Sequence, residues 1–171
     1  QSFVSDFEQS IIARRQSDFC FEAETKVYFE PTYFQHLAGM CYRYDERNQY
    51  NLCITYDENL GKVLQVQAVL TPKELAHIPN CKSEYSESLK ISLKENSPVW
   101  LKLVVNYNEA KFMYSEDGQL WRDIRFKILP ECLSDEYGGL GFTGAFVGMF
   151  CCDFEKYSKY ADFEYFSYLK K

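Results

Sequence analysis

The sequence is short of almost everything that would mark it quickly. It has no apolar run approaching the ~18 residues of a membrane span, and no charged segment leading into an apolar one as in a signal peptide. It has no basic run of five or more, and 25 acidic against 19 basic residues leave a net charge of −6. That balance argues against sequence-independent nucleic-acid binding, which rests on Lys and Arg neutralising phosphates. Neither a membrane nor a nucleic acid is therefore expected as a partner. Histidine is scarce, with only His36 and His77. Neither lies near an obvious nucleophile, so a Ser-His-Asp arrangement cannot be assembled and no catalytic residue is assigned. No Cys-x-x-Cys occurs among the seven cysteines, although zinc sites need ligands at short paired spacings. The close pair, Cys151-Cys152, would point to opposite faces of a strand. The thiols read as buried and reduced, as in a cytoplasmic protein. The chain opens Gln-Ser-Phe without an initiator Met, which fits a piece of a longer protein.

What is plentiful is aromatic: 14 Tyr and 14 Phe, with aromatics 18% of the 171 residues. With little Ala, this favours strands over helices. Alternation with period two dominates. In "FCFEAETKVYF" (19–29), Phe19, Phe21, Ala23, Thr25, Val27 and Phe29 share one face, the pattern of a half-buried strand. The segments 36–44, 49–57, 62–70, 89–93 and 99–107 read the same way, as do 124–129 and 161–169. Residues 110–121 read as a strand followed by an Asp117-Gly118 turn. About ten short strands with turns between them imply an antiparallel sandwich in a single domain, residues 1–171. The stretches 71–78 and 129–137 look like single helical turns.

"GGLGFTGAFVGMF" (138–150) contains Gly139-x-Gly141-x-x-Gly144, the spacing of a dinucleotide-binding turn. That turn needs a strand before it and a helix after it. Here "LSDEY" precedes it and strand-like "AFVGMFCCDF" follows. The nucleotide reading fails, and the glycines are better explained by a tight bend or a close approach. They free the chain around Phe142. A large apolar residue on such a loop either tucks into the core or faces a partner, and the residues alone favour tucking in.

Carboxylates are too many to exclude a glycosidase-like pair by count. However, the Asp-Glu pairs at 45–46, 57–58 and 135–136 sit in turns, where solvated acids are expected. "SEDGQLW" (115–121) falls one residue short of the sialidase Ser-Asp-Gly-Trp pattern and does not repeat. It reads as one hairpin with Trp121 packed on the sheet. Tyr42, Tyr44, Tyr50 and Tyr56 lie on two neighbouring strands. Such a row is a sugar-stacking platform in many sandwiches, and core packing or a protein interface explains it equally well.

"IARRQ" (12–16), "FQHLAG" (34–39), "SEDG..W", "LSDEY" and "GFTGAFVGM" (141–149) occur here in a definite order. As a set they resemble the C-terminal domain of family 43 glycoside hydrolases, the β-xylosidase and α-arabinofuranosidase type. The resemblance implies an all-β, concanavalin A-like antiparallel sandwich of jelly-roll type. Family members carry a further strand and a Trp-containing segment before "IARRQ", so the resemblance also implies a sandwich without its first strand. It implies a partner, the five-bladed catalytic β-propeller of a parent chain, which hydrolyses xylo-oligosaccharides by inversion. This module would be inert alone and would lend a loop to the propeller's pocket. Phe142, with Gly141 and Thr143 beside it, matches that loop, which turns the expectation toward an outward-facing Phe142. "LSDEY" would anchor the loop's base and "AFVGMF" would return to the core. A homo-oligomer is expected. No cofactor is implied. Sandwiches of this type can hold a structural calcium, but no metal-ligand set with oxygen-rich spacing stands out. The alternatives are an independent carbohydrate-binding module and a purely structural oligomerisation domain.

Overall fold

A computed structural model describes residues 10–78, 81–137, 144–154 and 159–171. In chain order the strands are β1 (Ile11–Arg15), β2 (Cys20–Tyr28), β3 (His36–Arg43), β4 (Gln49–Asp57), β5 (Gly61–Leu70) and β6 (Glu84–Glu87). They continue with β7 (Ile91–Ser92), β8 (Val99–Asn106), β9 (Glu109–Ser115), β10 (Arg122–Asp123), β11 (Phe146–Asp153) and β12 (Asp162–Lys170). Among the described residues they form two antiparallel sheets. One runs β1-β11-β3-β4-β5-β6, with β7 also paired to β5, and the other runs β10-β9-β8-β2-β12. The expected all-β, concanavalin A-like sandwich is what the chain builds. Among the described residues its helical parts are short 3₁₀ turns, Lys73–Leu75, Pro130–Leu133 and Asp135–Tyr137.

The core lies between the sheets. From the five-stranded sheet, β2 sends in Phe21, Ala23 and Val27, and β8 sends in Val99, Leu101, Leu103 and Val105. From the seven-stranded sheet come Met40, Tyr42, Leu52, Ile54, Leu64 and Val66. The alternation that identified these strands is the one that fills the core, since period two puts every second side chain on the inner face. Lys62, 2% exposed, also points inward and is held by the Glu30 carboxylate at 2.6 Å and the Ser97 carbonyl at 2.9 Å. Pairing and hydrogen bonding offset the cost of burying this ammonium.

A second buried layer lies outside the seven-stranded sheet. Leu37, Cys41, Cys53, Phe150 and Cys152 cluster there. Register puts Cys53 opposite Gly39 and Gln65, and Phe150 opposite Gly39 as well. Gln49, Asn51 and Gln65 share this face and are buried too. All seven cysteines are unpaired. Cys151 contacts the inner core and Cys152 the outer cluster, so the adjacent pair does split across the sheet.

Several local readings need correction. Residues 124–129 form no strand: Arg125 adopts φ 57°, a left-handed conformation that ends an extended run. The backbone pairing there is an isolated bridge between Ala110 and Ile128 and a hydrogen bond from the Ile124 N–H to the Phe112 carbonyl at 3.1 Å. Residues 89–93 pair only at Ile91–Ser92. Phe19 is not core but 76% exposed, stacked on Tyr107 at 6.3 Å. The strands β1, "IIARR", and β6, "EYSE", lie outermost on the seven-stranded path and are largely exposed. Without a buried face they carry no alternation to read.

Candidate functional site: Asp135 and Gly144

The segment singled out by the sequence, with Phe142, Gly141 and Thr143, lies outside the described residues. The residues that bracket it are described, and they are tied together. The Asp135 carboxylate accepts a hydrogen bond from the Tyr44 hydroxyl at 2.7 Å and one from the Gly144 backbone N–H at 3.3 Å, through the same oxygen. One side chain thus joins the chain before the segment to the chain after it. Asp135 is exposed in its turn, as the sequence leads one to expect of a turn acid, and it bridges these two partners as well. Gly144 takes φ 68°, a left-handed conformation that glycine adopts without a Cβ penalty.

The turns before the segment are built to hold this geometry. Pro130–Leu133 and Asp135–Tyr137 are consecutive 3₁₀ turns with Cys132 and Leu133 buried. Tyr137 donates its hydroxyl to the Thr71 carbonyl at 3.2 Å, and burial pushes that phenol up to about 12. Thr71 in turn donates its N–H to Asn48 Oδ1 at 3.1 Å. Asp45 caps the same corner by accepting the N–H groups of Arg47 and Asn48 at 2.9 and 2.8 Å. Immediately after Gly144, Ala145 and Val147 are buried, so "AFVGMF" does return to the core.

The four tyrosines part company here. Tyr42 and Tyr50 face each other across β3 and β4 and are 1% exposed, with Tyr44 at 7%. Burial pushes the phenols of Tyr42 and Tyr50 well up. Rings packed between two sheets offer no face to a sugar, so these three are not a stacking platform in this arrangement. Their hydroxyls hold loops instead. Tyr42 donates to Gln16 Oε1 at 2.9 Å, and Tyr50 accepts the Leu129 N–H at 3.1 Å. Tyr56 shares the inner face near the far end of β4 and is half-buried. Of the explanations the sequence left open for this row, core packing is the one that fits Tyr42, Tyr44 and Tyr50.

Elsewhere the chemistry is structural. Among the described residues no group of three or more His, Cys, Asp or Glu is placed to hold a metal ion. His36 Nδ1 accepts the Thr32 N–H at 3.2 Å, and its Nε2 lies 3.7 Å from buried Asp153. This pair ties the start of β3 to the end of β11. Burial raises the thiols of Cys41 to about 11 and of Cys152 to about 12, which makes them poor nucleophiles. "SEDGQLW" is a single hairpin: Asp117 accepts the N–H groups of Gln119 and Leu120 at 2.8 Å, and Lys102 sits 3.7 Å above the Trp121 ring.

The model of the family "Beta xylosidase C-terminal Concanavalin A-like domain" matches residues 1–169. The chain belongs to this family. It is 37% identical to a putative beta-xylosidase of Escherichia coli (strain K12) over 98% of the chain, which is 30% of that protein. It is 36% identical to the beta-xylosidase of Bacillus subtilis (strain 168) over its whole length and 31% of that protein. In structure it resembles xylan beta-1,4-xylosidase from Bacillus halodurans C-125, with TM-score 0.89 and 33% identity over 99% of the chain and 31% of the other. The chain therefore spans about 30% of the length of the curated relatives it matches. It corresponds to the C-terminal domain of family 43 β-xylosidases.

Proposed function

We propose that this chain is the accessory C-terminal domain of a β-xylosidase or α-arabinofuranosidase, and that it lends Phe142 to the mouth of the parent's substrate pocket. Acid–base chemistry, by inversion, would belong to the parent's catalytic β-propeller, with xylo-oligosaccharides as substrate. The domain by itself would be inert. The observation that carries this reading is the bridge at Asp135, which fixes both ends of the segment bearing Phe142. Pinning the two ends lowers the entropy of presenting what lies between them. A phenylalanine wall at a pocket mouth would exclude water and position the sugar. A second expectation is that the domain helps hold a homo-oligomer, in a cytoplasmic enzyme.

The test is Phe142→Ala in the full-length parent. The reading predicts a roughly ten- to hundred-fold loss of kcat/KM on xylobiose, with the thermal midpoint unchanged. Normal kcat/KM in a folded variant would contradict it. The isolated chain should show no glycosidase activity.

A further inference from the structure

At the end of the sandwich away from Asp135 there is an open cleft of about 400 Å³. It lies where β2 runs out, the loop before β8 turns, and β12 begins. Tyr28, Glu30, Asn96, Lys159, Tyr160 and Asp162 line it. The volume is within the range of small-ligand sites, roughly 300–1,000 Å³.

The lining combines aromatic faces with acceptors. Tyr160 is 77% exposed and Tyr28 43%, and neither is needed to fill the core. Tyr28 is held in place by Lys26, whose ammonium is 5.1 Å from its ring centre, and by a hydroxyl contact to Glu164 at 3.4 Å. Its backbone is fixed by pairing with Asp162, so one wall is a rigid strand end. Asn96 sits at φ 52°. Asn tolerates this left-handed geometry better than most residues, and its amide makes no hydrogen bond among the described residues. Asp162 is exposed and has no cation partner there either.

Charge narrows the ligand class. Three described cations lie nearby, and Lys26, over the Tyr28 ring, pairs with Glu164 at 2.6 Å. Lys159 donates to the Glu30 carbonyl at 3.1 Å, and Lys62 pairs with the Glu30 carboxylate. Among the described residues, Lys62 offsets Glu30 and Lys159 offsets Asp162 in formal charge, so the cleft carries no net positive charge to favour a phosphate or a uronic acid. The remaining groups are one free carboxylate, one free amide and two tyrosine rings. Carboxylates and amides accept or share vicinal hydroxyls, while tyrosine rings pack on apolar C–H faces and offer a polar edge. We infer that this cleft binds a short uncharged saccharide, as a subsite remote from the pocket that Phe142 would help close. The inference rests on reading the parent as a carbohydrate-active enzyme, but not on the role of the loop.

The test is a calorimetric and NMR titration of this chain with xylobiose and xylotetraose, and with spermidine as a cationic probe. Saturable millimolar binding of the xylo-oligosaccharides is expected, with shifts at Asn96, Tyr160 and Asp162. Tyr160→Ala and Asp162→Asn should each weaken it about ten-fold. Both positions are exposed, so folding should survive. Phe142→Ala should leave it unchanged, which separates failure of this site from failure of the loop reading. No saturable sugar binding, or binding unaffected by both cleft variants, would overturn the inference. Binding of spermidine alone would also overturn it, showing the cleft to be a cation site.

Discussion

The two sheets treat their outer faces in opposite ways. On the five-stranded sheet, β2 and β8 alternate buried with half-exposed residues along almost their whole length. Their outer face carries Glu24, Lys26, Trp100 and Lys102, joined by pairs such as Lys102–Glu24 at 3.1 Å and by lysines over Trp100 and Trp121. On the seven-stranded sheet, β3 and β4 are buried on both faces for seven residues each. Their outer face carries thiols and amides rather than charges. The Asn51 and Gln65 side-chain carbonyls there are buried without a hydrogen-bond partner. One sheet thus has a core face and a solvent face, whereas the other is covered on both faces at β3 and β4. Buried unpaired carbonyls are uncommon in native proteins, so this covered layer is a costly part of the fold.

Charge substitution should give the largest contrast. Cys53→Asp places a carboxylate on the covered face, where Cys53 is fully buried, and should cost about 4 kcal/mol or more. Val104→Arg, on the open face beside Glu22, should stay within about 0.5 kcal/mol. Urea denaturation of the two variants measures the difference, and equal effects would erase the distinction between the faces. Thiol reactivity sharpens the same point. Cys41, Cys53 and Cys152 are buried, while Cys20 is only partly so. At pH 8, Cys20 should react with a disulfide reagent in the native protein, and those three should react only on unfolding.

A smaller effect is expected at Gln65. Replacing it with Leu removes an unsatisfied buried acceptor, so Gln65→Leu should be neutral or stabilise by up to about 1 kcal/mol in thermal melts. The mildest effect belongs to the open sheet. Three hydrogen-bond donors, chiefly the Leu120 and Gln119 N–H groups and then the Ser115 hydroxyl, hold the Asp117 carboxyl down to about 2 from 3.8. A depressed folded value means that stability is full above the unfolded pKa and lost as pH falls through the folded one. The melting temperature should therefore decline between about pH 4 and pH 2, and Asp117→Asn should flatten that decline.

These contrasts also show what could be read from the sequence. Strands with one dry and one wet face, β2 and β8, were legible because alternation is a direct consequence of the pleat. The pairing of Cys151 and Cys152 to opposite faces followed from the same rule. What alternation cannot supply is sidedness. The tyrosine row was placed on two neighbouring strands with stacking, core packing and an interface all open, and Tyr42 and Tyr50 point into the core. Edge strands left no signal because neither face is buried, as in β6 with all four residues exposed. Ile124, Phe126 and Ile128 alternate like a strand, but one left-handed residue, Arg125, breaks the run. At the candidate site, "LSDEY" was legible as an anchor through resemblance. That Asp135 itself bridges Tyr44 and Gly144 depends on groups ninety-one and nine residues away in sequence, a closure that no local pattern encodes. The Tyr28–Tyr160 cleft is likewise assembled from three separate strand ends and loops.

The central claim is that an anchored loop delivers Phe142 to the parent's pocket. A double-mutant cycle on kcat/KM of the full-length parent, with Asp135→Ala, Phe142→Ala and the two combined, tests it most directly. The account predicts that each single change lowers kcat/KM on xylobiose, and that Asp135→Ala has little further effect once Phe142 is gone. Additive losses, or full activity in either single variant, would contradict it.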